Sequence, residues 1–174
     1  MTQSSRTTLA ATEPVMQDRF REVMAGVCTP VAVVTSFEGE DPYGTTVSAF
    51  ASLSMDPPMV LVSLGESSGL LATIRRSDRF GLNVLGSAQA ALAGAFARKG
   101  GTDKFIGVPW EEAQGVPRIP EAPGFLACEV SDLVIGGDHI IVLGTVVAAE
   151  YAAGAPLTYH ARTFGTYAQL TRDG

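Results

Sequence analysis

Hydroxyl side chains crowd one short stretch of this chain. Between Gly44 and Leu64 the residues read GTTVSAFASLSMDPPMVLVSL, two apolar strand patterns joined by Asp56-Pro57-Pro58. Strand side chains alternate in direction, so in a straight strand Thr46, Ser48, Phe50, Ser52 and Ser54 share one face, with Val47, Ala49, Ala51, Leu53 and Met55 on the other. A solvent face ordinarily carries Lys, Glu and Arg, and this one has none. Short hydroxyls let a flat polar ligand approach the backbone, and they pair with heterocycle carbonyls, ring nitrogens or a phosphate. Small Ser and Thr also pack acceptably inside a β-barrel, and the residues alone leave both readings open. Proline lacks an N–H, so the ladder cannot continue through Pro57-Pro58 and the chain must return as MVLVSL. That return carries Ser67-Ser68, at the start of a helical pattern, toward the same end. Unpaired amides there favour an anion by roughly 0.3–1 kcal/mol. Lys104, in TDKF, can add a compensating charge.

Two further constellations compete for attention. Gly65-Glu66-Ser67-Ser68-Gly69 fits the G-x-S-x-G nucleophile elbow between a strand and a helix, and Asp138 or Asp132 with His160 follows in the chain order of a serine hydrolase. No alternating βαβ pattern and no upstream glycine run for an oxyanion hole accompany it. His139 and His160 lack Cys or carboxylate partners at zinc spacing, so no metal is expected. Neither a G-x-G-x-x-G after a strand nor a Walker A sequence occurs. A pyridine nucleotide, if used, is not held by a Rossmann unit.

The elements that must position these residues are mostly strands. Residues 1–13 read as a loose Ser/Thr-rich arm and 14–170 as one domain. Thr12 is placed to cap a first helix with Pro14 in its first turn, and Met16, Phe20, Val23 and Val27 fall on one face. TPVAVVTSF follows as a strand ended by the turn EGEDPYG. After the hydroxyl stretch, Ser67 is the expected N-cap of a helix through Arg76 that buries Leu70, Leu71 and Ile74. RFGLNVL is a strand, SAQAALAGAFA a short helix with Leu92 and Phe96 inward, and RKGGTDKFIGVPWEEAQGVPRIPEAPG a long connection of a kind that tends to serve or cover a site. In the β-rich final third, GGDH forms a tight hairpin. Six or seven strands, mostly consecutive, with three inserted helices predict an antiparallel barrel rather than a doubly wound sheet.

Composition narrows the function classes. A chain of 174 residues buries roughly 70% of its unfolded surface in one core. Its 46% apolar and 17% charged residues are rich for that size, which predicts a homodimer that covers some apolar surface. A net charge of −6 with 12 scattered Lys and Arg argues against a nucleic-acid groove. Arg75-Arg76 and Arg98-Lys99 read as solvated helix ends, and Cys28 and Cys128 as buried free thiols. No signal-like segment and no run of 18 apolar residues is present, which predicts a soluble cytoplasmic protein with no membrane partner.

At this point the motifs meet a known pattern. TPVAVVTS, GTTVSAFASLSMDPPMVLVSL, RFGLNVL, DKFIGVPW, GGDHIIVLGTV and PLTYH stand in the order found in the short-chain flavin reductases, the reductase components of two-component flavin monooxygenases, and the chain resembles them from about Phe20 to Tyr167. The resemblance implies a mainly β fold with helical insertions, a homodimeric split β-barrel of the FMN-binding, Greek-key type. It implies hydride transfer from NADH or NADPH to FMN or FAD, which then serves a partner monooxygenase. By position, Thr46, Val47, Ser48, Ala49, Ser52, Leu53 and Ser54 would line the flavin ring and ribityl chain, and Ser67, Ser68, Lys104 and Phe105 the phosphate end. Asp138 and His139 would face the nicotinamide, with Thr29, Pro30, Tyr159 and His160 as further wall. Two departures stand out: Thr29-Pro30-Val31 where many members have Thr-Gly-Val, and Gly69-Leu70 where many have a Ser-Thr pair. The second leaves FMN against FAD open. A flavin-binding protein without turnover is the alternative, because a fold of this kind holds flavin whether or not it reduces it.

Overall fold

The computed structural model describes residues 14–170, so the expected arm and its capping Thr12 lie outside the described residues. Among the described residues three α-helices, α1 (Pro14–Ala25), α2 (Gly69–Ser77) and α3 (Ala90–Phe96), accompany twelve strands. In chain order these are β1 (Thr29–Pro30), β2 (Ala32–Glu38), β3 (Asp41–Val47), β4 (Phe50–Met55), β5 (Pro58–Gly65) and β6 (Arg79–Val84), followed by β7 (Glu111–Ala113), β8 (Val116–Arg118), β9 (Gly124–Gly136), β10 (His139–Tyr151), β11 (Leu157–His160) and β12 (Thr163–Thr166). Seven of them form one antiparallel sheet in the order β3-β2-β6-β9-β10-β5-β4; the antiparallel pairing is as expected, while the strands number twelve among the described residues rather than six or seven. A small sheet β1-β11-β12 and a hairpin β7-β8 complete the set.

The large sheet rolls, because its two edge strands are consecutive in the chain. Val47 leaves one edge and Phe50 enters the other, and at the corner between them the Ser63 N–H of β5 donates to the Ala49 carbonyl at 2.9 Å. No ladder joins β3 to β4, so the roll stays open along that seam. Period-two patterning fills the interior: Val60, Val62 and Leu64 of β5 meet Ile140 and Val142 of β10, Ala32 and Val34 of β2, and Phe80 and Leu82 of β6. Leu70, Leu71 and Ile74 of α2 close this core from one end, as the helical spacing predicted. The cap is Ser68 rather than Ser67; its Oγ accepts the Leu71 N–H. Asp78 ends the helix in the left-handed region.

Strand β2 is buried on both faces, and a second core lies outside it. Val31, Val33, Leu85, Phe96, Phe105 and Leu157 gather there, covered by α3 and the long connection. That connection is pinned by buried polar groups. Asn83 Nδ2 donates to the Val33 carbonyl and to Thr35 Oγ1, while its Oδ1 accepts the Ile119 N–H at 2.8 Å. The connection thus contributes core side chains as well as covering them.

Four expectations need correction. The turn after β2 is only Gly39-Glu40, and Asp41, Pro42 and Tyr43 already belong to β3, an edge strand that tolerates a proline. Cys28 is exposed; Cys128 is buried, and burial pushes its thiol up to about 12. Of Met16, Phe20, Val23 and Val27, expected on one helical face, Val27 lies beyond the end of α1, and all four are 42–68% exposed. The stretch from Gly44 to Met55, expected as one strand, is split by the corner into β3 and β4. The Gly136–His139 hairpin forms as expected, with Gly137 in the left-handed region. Among the described residues no helix is long and apolar enough to cross a membrane.

Gly144 of β10 sits beside a register shift, and a β-carbon there would lie 2.5 Å from the Phe80 ring. Gly144→Ala is expected to destabilise the fold by about 1–3 kcal/mol, the usual penalty for overfilling a packed core, read as a lower urea midpoint.

Candidate functional site

Three adjoining depressions surround the corner where β3 ends. The first, about 430 Å³, lies between the start of α2 and the end of α3 and is lined by Ser67, Ser68, Arg98, Lys99 and Lys104. The second, about 290 Å³, runs along Thr45–Ala49 to Ser68 and His139. The third, about 380 Å³, is mostly apolar and opens between Thr46–Ser48, α3 and the β11–β12 hairpin. Thr45 and Ser68 are shared by the first two, and Thr46, Val47 and Ser48 by the last two. Ala97 is shared by the first and the third, so the result is one curved trough with a cationic end, a polar middle and an apolar end, wrapped around the corner.

The corner is fastened by its own hydroxyls. Thr46 Oγ1 donates to the Ala93 carbonyl at 2.7 Å and Thr45 Oγ1 to the Phe96 carbonyl at 3.4 Å, both in the last turn of α3. Those protons are spent on the protein, which leaves the threonine oxygens to a ligand as acceptors. Lys104 works on the same joint. Its Nζ donates to the Gly44 carbonyl at 3.2 Å and the Phe96 carbonyl at 3.1 Å, tying β3 to the helix end. Burial lowers its pKa, with Asp103 partly opposing the shift. Lys104 therefore shapes the cationic recess, and Arg98 and Lys99 offer it their exposed charges.

The start of α2 forms the recess's other wall. Ser68 caps the helix, and the Gly69 and Leu70 amides have no protein acceptor among the described residues. A β-carbon at Gly69 would lie 2.5 Å from Tyr43 Oη, and that phenol donates to the Gly100 carbonyl. Glycine thus admits Tyr43 at the place where the resemblance led one to look for a hydroxyl pair.

His139 enters the middle depression from the β9–β10 hairpin. It pairs with Gly65 across β10 and β5, and the Glu66 N–H donates to the Asp138 carbonyl, so the hairpin is locked to the turn before α2. His139 Nδ1 lies 2.7 Å from Asp138 Oδ1. That hydrogen bond and the imidazole's charge hold the Asp138 carboxyl below its ordinary range. The pair fixes the ring and leaves Nε2 as its free nitrogen.

Thr46, Val47, Ser48, Ala49, Ser67, Ser68, Lys104, His139 and Tyr159 are brought together by the fold, with Asp138 beside them. Other candidates are not. Ser52, Leu53 and Ser54 line none of the three depressions: the corner and a register shift between Ser52 and Ser54 break the alternation that would have aligned them, and Ser54 Oγ accepts the Asp56 N–H. Phe105 is core, edge-on to Phe96 at 4.8 Å. Thr29 and Pro30 pair with Tyr159 and Thr158 in the small sheet but stay outside the trough. His160, next to Tyr159 on the strand, faces away into another depression with Cys28 and Thr158. Ser67 has no histidine partner, so the hydrolase constellation does not assemble. Arg98, Lys99, Arg162 and Phe164 line the trough although the sequence reading did not select them. The only available signal was that Arg98-Lys99 precedes Gly100-Gly101 between two candidate elements. Among the described residues no cluster of metal-ligating side chains occurs.

The flavin reductase-like domain model matches residues 24–168. The chain belongs to that family. It is 41% identical over 155 residues to the reductase component of a 4-nitrophenol 4-monooxygenase/4-nitrocatechol 2-monooxygenase from Rhodococcus opacus, covering 89% of this chain and 83% of that protein. Against an NADH-dependent FMN reductase of Agrobacterium fabrum the identity is 35% over 151 residues, with 86% of each covered. The solved structure of an NADH:FAD oxidoreductase from Streptomyces globisporus C-1027, in complex with NAD and FAD fragments, superposes with a TM-score of 0.82 at 30% identity, covering 95% of this chain and 99% of that one. This flavin reductase-like chain shares that fold, and Tyr43 lines the recess at α2 beside Gly69.

Lys104→Met removes the donor shared by the Gly44 and Phe96 carbonyls. It is expected to lower stability by about 1.5–3 kcal/mol, the usual worth of hydrogen bonds from a charged donor, the Phe96 carbonyl keeping its bond from Thr45. Trp110, the one tryptophan, stands edge-on to Phe105 and Phe37 and reports the unfolding by fluorescence.

Proposed function

We propose that this chain is an NAD(P)H:flavin oxidoreductase, passing hydride from NADH or NADPH to FMN or FAD and supplying reduced flavin to a partner monooxygenase. The carrying observation is the trough itself, with cations and free helix amides at one end, small hydroxyls along the corner, and a carboxylate-oriented imidazole across from them. Those residues fit a flavin. The Ser68 hydroxyl, the Gly69 and Leu70 amides, Arg98 and Lys99 suit its phosphate, and the Thr45–Ala49 backbone, free of bulky side chains, suits the flat ring and its ribityl chain. Bound flavin supplies a hydride-accepting ring, and the protein contributes alignment and electrostatics.

Each residue then has a task. Thr45 and Thr46, held by α3, keep the corner rigid and offer oxygen acceptors. Ser48 is exposed, with its hydroxyl uncommitted. Asp138 orients His139, whose Nε2 is left for the ligands: a donor to developing negative charge when the ring is protonated, an acceptor for a nicotinamide carboxamide when it is neutral. Val31, Val47, Tyr159 and Phe164 keep water from the apolar end. The exposed faces of α1 and of the β9–β10 hairpin, including Phe20, Val23, Val134 and Ile135, give a second copy of the chain an apolar surface to cover, in keeping with a dimeric split barrel in the cytoplasm. A flavin-holding protein without turnover is separated by one experiment. Anaerobic titration with FMN or FAD followed by NADH or NADPH should bleach the flavin absorbance, and binding without bleaching would sink the reductase reading.

His139→Ala is expected to lower the rate of flavin reduction at saturating NADH by about 10- to 100-fold, the loss of one charge-assisted hydrogen bond in the transition state, while flavin affinity changes little. Stopped-flow measurement decides it, and an unchanged rate removes His139 from the mechanism.

A further inference from the structure

We propose that Arg162 is the contact for the phosphates of the reduced pyridine dinucleotide, an inference that rests on the flavin reductase reading above. Arg162 sits at the tip of the β11–β12 hairpin and lines the apolar end of the trough together with Tyr159, Phe164 and Ser48. No other lysine or arginine lines the middle or apolar depressions. Arg98, Lys99 and Lys104 line the first depression, beside α2, which shares only Ala97 with the apolar one. A donor that lays its nicotinamide on a ring seated at the corner must still place a pyrophosphate nearby, and this end has one cation to meet it. Tyr159 and Phe164, with centroids 5.3 Å apart, provide aromatic surface next to that charge.

The backbone at this tip is strained. His160 pairs with Thr163, so Ala161 and Arg162 are the two turn residues, and both are left-handed, with φ of 48° and 62°. Such two-residue turns favour Asn-Gly, and a side chain at each position is unfavourable. The surroundings hold the strain in place. The Ala161 N–H donates to the Ala25 carbonyl at 2.8 Å, and at the hairpin's base Val31, Leu157 and Leu85 close a ring of three backbone hydrogen bonds. Arg162 gains nothing within the chain for this. Its guanidinium has no ion pair or hydrogen bond among the described residues, and Glu22, which shares a neighbouring depression with it, makes no ion pair with it. An arginine kept at a strained turn without an internal partner, on the wall of the trough, is explained by a ligand.

The test compares two hydride donors with FMN or FAD as acceptor: NADH, and 1-benzyl-1,4-dihydronicotinamide, which carries the same reacting ring and no phosphate. Arg162→Ala should lower kcat/KM for NADH by about 10- to 100-fold, chiefly through KM, with the flavin KM unchanged. The loss should shrink to within about twofold for the phosphate-free donor and should weaken as salt is added. Arg162→Gly should show the same donor-specific loss while raising Tm by about 2–4 °C through relief of the left-handed strain, and it answers the question if the alanine variant does not fold. Ala161→Gly should raise Tm similarly and leave NADH turnover unchanged. Equal loss with both donors, no loss with NADH, or a lower Tm for Arg162→Gly would overturn the assignment. A wild-type protein that uses neither donor would instead overturn the flavin reductase reading itself.

Discussion

In a flat seven-stranded sheet the outer strands stand six spacings apart, about 29 Å at 4.8 Å per spacing. Here the outer strands are β3 and β4, and the chain passes from Val47 to Phe50 between them, a reach of at most about 11 Å. The sheet has to roll until its edges meet, and the corner at Ser48-Ala49 is where covalent continuity enforces it. Much of the remaining architecture follows from that short bridge. The roll encloses the first core, α2 closes its end, and the face of β2 left outside needs α3 and the long connection to cover it. A corner of this kind cannot carry large side chains, because it turns sharply while β5 approaches closely enough for the Ser63 amide to bond Ala49.

The small residues at the corner therefore have a structural cause before they have a functional one. Thr45 and Thr46 spend their hydroxyl protons on the last turn of α3, and Lys104 spends its donors on the same helix end and on Gly44. Covering helix carbonyls is what their geometry accomplishes. The functional consequence is a stretch of backbone approachable from outside, with rigid walls. In this fold the approachable backbone is a by-product of how the sheet rolls, and a few polar and charged groups at the two ends give the trough its character.

This division explains what could be read from sequence. The interior strands were legible because Val60, Val62 and Leu64 alternate cleanly, and α2 because Leu70, Leu71 and Ile74 share a face. The hydroxyl stretch marks the corner that lines all three depressions, but its alternation does not carry through a turn that hydropathy does not announce. That is why Ser52, Leu53 and Ser54 were grouped with residues they do not join. Phe105 and His160 lie outside the trough for a related reason. Each lies next in sequence to a residue that faces the trough, and local pattern does not say on which side an irregular or two-residue element turns. Arg98, Lys99 and Arg162 were invisible as site residues because isolated cations at helix ends and turns look the same whether solvent or a ligand faces them.

The exposed face of α1 follows from the same physics. Its apolar residues have the spacing of a packed helix, yet both cores are complete without them: the inner one is closed by α2 and the outer one by α3 and the connection. A helix whose apolar face is surplus to its own chain's needs either loses that face over time or keeps it for another surface. The anchoring of the Ala161 amide to the end of α1 gives this helix a second influence. It bears on the tip of the β11–β12 hairpin, so whatever covers α1 also steadies the turn at the apolar end of the trough.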